Sequence, residues 1–189
     1  MTSSRDDIVG LSDYAWARLR RRLDGLTDVE YLWEPVPGCR TVRPDGEGGF
    51  RWDGHARDGE PRAFTTLAWR LTHIADLLEE ERSGPWLGRP SPPRTRAGAP
   101  GAAAAALDAL EAAYAAWREV LAGTTEESLG EPIGAVGGRY ARDTRRSYVL
   151  HVVDELIHHG AEAALLRDLY AACGGGAGSM VRREGGGGR

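Results

Sequence analysis

Glu155 and His159 stand four residues apart in the stretch HVVDELIHHG, and His151 precedes Glu155 by the same interval. The flanking apolar residues recur at helical spacing, and residues four apart on a helix project from one face. Imidazole nitrogens and carboxylate oxygens are ligands for zinc and for other divalent first-row metals. The pair is therefore a candidate for part of a metal site. The alternative is an ordinary surface Glu–His pair, which helices also form at this spacing.

A third ligand has to come from another helix, and His73 is the candidate. It lies in the segment LTHIADLL, whose apolar spacing places it among core positions. A single His in such a place is often only structural. Inside a helical bundle, however, His73 could face Glu155 and His159. Two His and one carboxylate leave coordination positions open for water or substrate, which is the arrangement of catalytic zinc sites.

The other titratable residues near these motifs have less definite roles. His158 is about 100° round the helix from His159 and is expected to point elsewhere. His151 could support a ligand, replace one, or be exposed. Asp76 lies one turn beyond His73 and could orient an imidazole, since a metal-bound His usually has such a partner. A surface position is the alternative for Asp76.

Four amphipathic helices are predicted to position these residues. They span residues 5–26, about 66–82, 101–122 and 145–172. The connections at 27–63 and 84–100 are rich in Pro and Gly, which excludes a long regular element there. The aromatic residues of the first connection are too apolar for a free linker and are expected to pack onto the helices. A short hairpin-like segment is expected within 133–143.

This pattern predicts an all-α protein, a four-helix bundle with long loops after helices 1 and 2. Such connections permit a non-sequential order of helices around the bundle. Residues 1–172 are predicted to form a single domain, and the Gly-rich residues 173–189 a flexible, disordered tail.

The composition excludes several classes of function. The formal net charge of −4 gives no basic excess for a phosphate backbone, so no nucleic-acid partner is expected. The N-terminus lacks the features of a signal peptide, and no segment is apolar enough to span a membrane. Cys39 and Cys173 do not suggest a disulfide framework. A cytoplasmic protein is expected.

Three motifs together resemble the DinB-like superfamily of metal-binding four-helix bundles. They are YLWEPVPG after the first helix, LTHIADLL in the second, and DELIHHGAEAALLRDLY in the fourth. The resemblance covers roughly residues 5–172 and is closest to the actinobacterial branch that includes mycothiol-dependent maleylpyruvate isomerase. Many DinB-like proteins have HxxxH in the last helix. Here Glu155 stands in place of the first His, as in the mycothiol-using branch.

Agreement with that branch is partial beyond the ligands. The matching positions are Glu155, His159, Arg167 and the acidic Asp168. The branch's following Gly, His and Asp are replaced by Ala161, Glu162 and Ala164. The resemblance implies a divalent metal, zinc first and nickel or manganese as alternatives, together with mycothiol or a related low-molecular-weight thiol. It does not carry a particular substrate with it.

The resulting expectation is a metal-dependent, thiol-using transferase or isomerase that acts on a small electrophilic molecule. Metal-bound water acting in hydrolysis is an alternative chemistry. A metal-binding protein without catalysis and a homodimeric helical interaction module are the alternatives of other classes. A substrate carboxylate could pair with Arg142, Arg145 and Arg146, although a solvated basic turn explains them as well. Trp33 and Trp86 could line the mouth of the site or close the core.

Overall fold

Four long helices and three short ones make up most of the fold. The computed structural model describes residues 3–55, 63–91, 93–94 and 98–175. In chain order the helices are α1 (Ser4–Arg22), α2 (Asp28–Tyr31), α3 (Leu67–Leu78), α4 (Ser83–Trp86), α5 (Ala103–Ala122), α6 (Glu126–Gly130) and α7 (Arg145–Ala172). The four long helices form a bundle, so the predicted all-α fold class is confirmed.

The helices do not follow one another around the bundle. Helix α7 packs against both α1 and α3, and α3 also packs against α5. Side chains close the ring between α1 and α5, where the Trp16 ring stacks on Tyr114 at 4.4 Å between centroids. In the same contact the Trp117 indole donates a hydrogen bond of 3.3 Å to the Ser12 hydroxyl. The first two long helices, α1 and α3, therefore lie diagonally opposite each other in the bundle, which the long first connection allows.

Side-chain caps fix where the long helices begin. The hydroxyls of Ser3, Thr66 and Thr144 each accept a hydrogen bond from a backbone N–H in the first turn of α1, α3 and α7. These starts agree with the sequence to within a residue or two. The predicted ends at residues 26 and 82 are wrong, because α1 ends at Arg22 and α3 at Leu78. After each end the chain turns away into a short helix, α2 or α4.

The first connection contains a small β-hairpin that the density of glycine and proline concealed. Strands β1 (Val42–Pro44) and β2 (Phe50–Trp52) pair antiparallel, with Val42 opposite Trp52. The Asp45 carboxylate accepts backbone hydrogen bonds within the turn. Phe50 and Trp52 pack against the core, as expected for the aromatics of this segment.

The hairpin-like segment predicted within 133–143 is mainly a 3-10 helix, Ala135–Tyr140. A short ladder does hold its two ends together, since the Ile133 N–H donates to Asp143 at 2.8 Å and the Gly134 N–H to Ala141 at 3.0 Å. The predicted flexible tail, 173–189, lies outside the described residues from position 176 onward. Within the described part of the chain, no helix is both long and apolar enough to cross a membrane.

The apolar stripe of α7 faces the core as its spacing predicted. Val149, Val152, Leu156 and Ala163 are all buried. The polar ligand stripe runs along the edge of this face, with His159 buried and Glu155 partly buried. Each candidate ligand on α7 is therefore held by the packing of its apolar neighbours.

A buried ion pair fixes the far end of α7 to the segment that follows α1. Arg167 donates to both oxygens of Glu30, at 2.6 and 3.0 Å, and Glu30 is only 5% exposed. The same guanidinium donates to the carbonyl oxygens of Arg22 and Asp24, at 2.5 and 2.8 Å. Arg167, which the sequence motif singled out, therefore has a structural role at the end of α1.

Arg167→Met should lower the free energy of unfolding by roughly 3 kcal/mol, because it leaves a buried carboxylate unpaired. Arg167→Met combined with Glu30→Leu should recover part of this loss, because the buried charge is then gone. Arg20→Met, which breaks an exposed pair with Glu111, is the control and should cost less than about 1 kcal/mol. Urea unfolding measures all three, and equal costs for Arg20→Met and Arg167→Met would contradict the assignment.

Candidate metal centre

The structure brings together the three predicted ligands His73, Glu155 and His159. Helix α3 supplies the first and the neighbouring α7 the other two. One ligand atom from each residue lies within 4.8 Å of the other two. The same oxygen of Glu155, Oε2, is 3.1 Å from Nε2 of His159 and 3.7 Å from Nε2 of His73. The two imidazole rings lie nearly perpendicular, 4.4 Å apart between centroids.

The protonation of this cluster suits a cation. Burial, reinforced by the neighbouring His159 and His55, lowers the pKa of His73 from 6.5 to about 4, so its imidazole is neutral near pH 7. Burial by itself would raise the pKa of the Glu155 carboxyl. The adjacent His159, His151 and His73 more than offset this effect and hold that pKa below its usual value. A neutral imidazole and an ionised carboxylate are the forms that bind metal.

A carboxylate that the sequence reasoning did not assign to the site contacts Nδ1 of His159, the ring nitrogen that does not face Glu155. Glu162 lies one turn along α7, and its Oε2 is 2.6 Å from Nδ1 of His159. Arg70 of α3 pairs with the same oxygen at 2.7 Å. A metal-bound His generally donates its other ring N–H to such a partner, which fixes the tautomer and the ring orientation.

The neutral form of His159 is the one that would fit a cation. In a neutral ring whose Nδ1–H donates to Glu162, Nε2 carries a lone pair. A guanidinium nitrogen of Arg70 also lies 2.9 Å from Nδ1. The Nε2 lone pair faces a carboxylate oxygen of Glu155 across 3.1 Å. Two acceptors at this distance repel each other unless a positive charge lies between or beside them. A divalent metal coordinated by both would remove the repulsion.

Helix α3 and the β-hairpin each supply a tryptophan to an aromatic wall beside His73. The Trp69 ring stacks on His73 at 5.2 Å, and Trp52 of β2 lies 6.4 Å from the same imidazole. His55, to which the sequence assigned no role, meets His73 edge-on at 4.8 Å. The Trp69 indole donates a 2.9 Å hydrogen bond to Gly54, which fixes the chain that carries His55.

A cavity of about 620 Å³ opens beside His73 and Glu155. Its wall combines aromatic and imidazole rings with charged side chains. The polar members of its wall include Asp76, Glu79, Glu80, Glu81, Arg82, Arg94 and His151. Its volume is within the range of about 300–1,000 Å³ that small-molecule pockets occupy.

The three less definite titratable residues all lie near the cluster. Asp76 lines the cavity beside His73 and pairs with Arg94. His158 is exposed, and its ring stacks on His159 at 4.5 Å. His151 is exposed on the ligand stripe and lines the cavity without joining the three-residue cluster.

The basic residues around the start of α7 do not converge on the cluster. Arg145 pairs with Glu131 at 2.8 Å and Arg146 with Glu126. Arg142 is exposed. The structure thus places Arg145 and Arg146 in ion pairs with the α6 region.

Comparison with known proteins identifies the family. The family model of the DinB superfamily matches residues 12–163, which is most of the chain. The chain belongs to the DinB superfamily. The match includes α3 and the part of α7 that carries Glu155 and His159.

A crystal structure from Enterococcus faecalis, described as that of the conserved protein of a locus, has the same fold. The two chains align with a TM-score of 0.59 over 91% of this chain and 99% of the other, at 17% sequence identity. At this identity the likeness shows the shared fold and nothing about activity. The search of curated proteins found no match.

Sequence reasoning did not identify five site residues of this DinB-superfamily chain. They are Glu162, Arg70, His55, Trp52 and Trp69. Glu162 could have been found, because it stands three residues after His159 and residues three apart are neighbours on a helix. No local pattern could have found His55 or Trp52, because the hairpin that places them is not visible in the sequence.

Glu162→Gln should weaken zinc binding by about 10- to 100-fold, because it loses the charged acceptor that orients His159. Competition with a chromophoric chelator measures the affinity. Asp154→Asn removes one exposed carboxylate from the same helix and should leave the affinity unchanged. Equal affinities for native protein and Glu162→Gln would exclude this role for Glu162.

The metal-free protein should lose stability as the pH falls from about 6.5 to about 4, the interval between the ordinary pKa of His and that of buried His73. In this interval the unfolded chain binds more protons than the folded one, so protonation favours unfolding. His73→Gln should flatten this part of the profile. Urea unfolding of both proteins in chelator across this range tests the effect, and parallel profiles would count against it.

Proposed function

We propose that this protein is a metal-dependent enzyme that uses a low-molecular-weight thiol of the mycothiol type to transfer or isomerise a small electrophilic substrate. The metal would be zinc, with nickel or manganese as alternatives, held by His73, Glu155 and His159. The observation that carries the proposal is that two imidazole Nε2 atoms from different helices converge on one carboxylate oxygen of Glu155.

A bound divalent metal would supply one kind of chemistry, which is to hold a coordinated thiol or water in its deprotonated form near neutral pH. The protein's own groups prepare the site for it. Glu162 and Arg70 orient the His159 ring, and burial keeps His73 neutral. Three protein ligands leave at least one coordination position for an incoming molecule.

An external thiol is favoured because the protein's own thiols are poorly placed. Cys39 is buried and its Sγ lies 3.0 Å from the Val36 carbonyl oxygen, and burial raises the pKa of its thiol. Cys173 follows the last residue of α7, about four turns beyond His159. Neither belongs to the set of residues that lines the cavity beside His73.

The proposed reaction forms a carbon–sulfur bond between the thiol and the electrophilic carbon. In a transfer, the leaving group departs with its electron pair and the thiol proton is released to solvent or to that group. In an isomerisation, the thiolate adds to a carbon–carbon double bond and its π electron pair moves onto the substrate. The remaining single bond rotates, and expulsion of the thiolate restores the double bond in the other geometry. The cavity beside the cluster has room for both the thiol and a small substrate.

Elemental analysis of untagged protein, purified without chelator, tests the metal site first. About one metal ion per chain is expected in the native protein and nearly none in His159→Ala. Asp154→Asn, an exposed change on the same helix, should keep the metal. Native protein that stays metal-free after incubation with zinc, nickel and manganese would refute the site and favour a helical interaction module, for example a homodimer.

Catalysis is tested separately on the metal-loaded protein. Mycothiol or cysteine is offered with chlorodinitrobenzene, and the rate is compared with that of His159→Ala. A thiol-dependent rate that is lost in the variant supports the enzyme. A full metal complement with no thiol binding in calorimetry would instead indicate a non-catalytic metal-binding protein. Ester hydrolysis without thiol would point to the alternative chemistry of metal-bound water.

A further inference from the structure

A second cavity adjoins the cavity of the candidate metal centre. It has a volume of about 250 Å³ and lies between α4, the 3-10 helix and the first turn of α7. Arg82 and His151 line both cavities, so the two meet at these side chains. We call the larger space, beside His73 and Glu155, the metal chamber. The smaller one, lined by Trp86, Tyr140 and Tyr148, is the aromatic chamber.

The walls of the aromatic chamber are shaped for a flat apolar group. The Trp86 ring meets Tyr148 edge-on at 4.9 Å and lies tilted against Tyr140 at 5.7 Å. Ile133 adds an aliphatic side. Tyr148 is held in place by a 2.7 Å hydrogen bond between its hydroxyl and that of Ser83. Aromatic rings pair favourably in edge-to-face and offset arrangements, so these walls would accept one more ring.

The charges around the chamber disfavour a cationic occupant. The Arg82 guanidinium lies 4.6 Å from the centre of the Trp86 ring, and Arg139 lies 4.7 Å from that of Tyr140. One face of each ring is thus already occupied by a guanidinium group. An aromatic cage that binds a cationic ligand instead has its ring faces unoccupied. Asp143 also lines the chamber and would repel an anion. A neutral ring avoids both conflicts.

Helix α7 connects the chambers along one face. Tyr148 lies in the aromatic chamber, His151 at the boundary and Glu155 in the metal chamber, on successive turns of the helix. At 1.5 Å of rise per residue, Tyr148 and Glu155 are about 10 Å apart along the axis. A ligand that fills both chambers therefore needs a spacer between its two ends.

We propose that the substrate carries a neutral aromatic ring that binds in the aromatic chamber, joined by a flexible spacer to the electrophilic group that reacts in the metal chamber. This inference rests on the proposed function of the metal chamber and adds the substrate class. The aromatic chamber is smaller than the pockets of about 300–1,000 Å³ that take whole drug-sized ligands. It suits a single ring system.

Calorimetry with the zinc-loaded protein and a set of hydroxamic acids tests this inference, because the hydroxamate group binds zinc. Acetohydroxamic acid carries the metal-binding group alone, hexanohydroxamic acid adds a chain, and 6-phenylhexanohydroxamic acid adds a ring at its end. The phenyl compound should bind roughly tenfold more tightly than the hexano compound, which corresponds to about 1.4 kcal/mol. Benzohydroxamic acid, whose ring has no spacer, should show no such gain in affinity over acetohydroxamic acid.

Two variants locate the effect. Ser147→Phe fills the aromatic chamber from an exposed position, and Trp86→Ala removes a wall. Each should abolish the advantage of the phenyl compound and leave acetohydroxamic acid binding unchanged. Phe64→Ala removes an exposed aromatic side chain that does not line either chamber and should preserve the advantage. If Trp86→Ala does not fold, Ser147→Phe alone decides.

The outcomes separate the two proposals. Equal affinities of the phenyl and hexano compounds in native protein would overturn the aromatic substrate and leave the metal site standing. If acetohydroxamic acid does not bind, the open metal site is refuted, and 4-phenylbutanamide, which has a ring but no metal-binding group, tests the chamber by itself. Shifts in the NMR signal of the Trp86 indole that disappear in Ser147→Phe would support the chamber. Their absence from native protein would overturn it.

Discussion

The packing of α3 against α7 is the constraint on which the candidate site depends. His73 and Arg70 come from α3, and Glu155, His159 and Glu162 come from α7. Neither helix carries a complete set of ligands. The apolar residues that bury the two helices against each other therefore set the distances between the donor atoms, and a helix keeps its own donors in fixed register. Stability and site geometry arise from the same contact.

Much of this arrangement is readable in the sequence because it is local. The spacing of Glu155 and His159 predicts one face of one helix, and capping residues such as Thr66 and Thr144 mark where helices begin. The length of the connections permits a non-sequential order of the bundle, which the structure then shows. The family match agrees with the resemblance that the three motifs carry, and the all-α fold is confirmed.

What the sequence could not show depends on contacts between distant segments. Glycine and proline dominate the chain between α2 and α3, so neither period-two alternation nor helical spacing identifies its hairpin. Yet this hairpin brings Trp52 next to His73. Arg167 and Glu30 are more than a hundred residues apart in the chain, so the sequence could not show that this position of the fourth-helix motif pairs with Glu30. The identity of the three metal ligands stays a prediction until metal is measured.

The metal chamber and the aromatic chamber are built from two kinds of structure, which differ in how well they tolerate substitutions. The ligand cluster sits on long helices beside the faces that these helices bury in the core, so substitutions there can disturb folding as well as chemistry. The outer walls come from the hairpin, from α4 and from the 3-10 helix, all of which lie in connections between the long helices. Connections accept insertions and exchanges more readily than the elements they join. Such a division would let evolution, or a protein engineer, alter selectivity for the ligand while the reactive centre remains as it is.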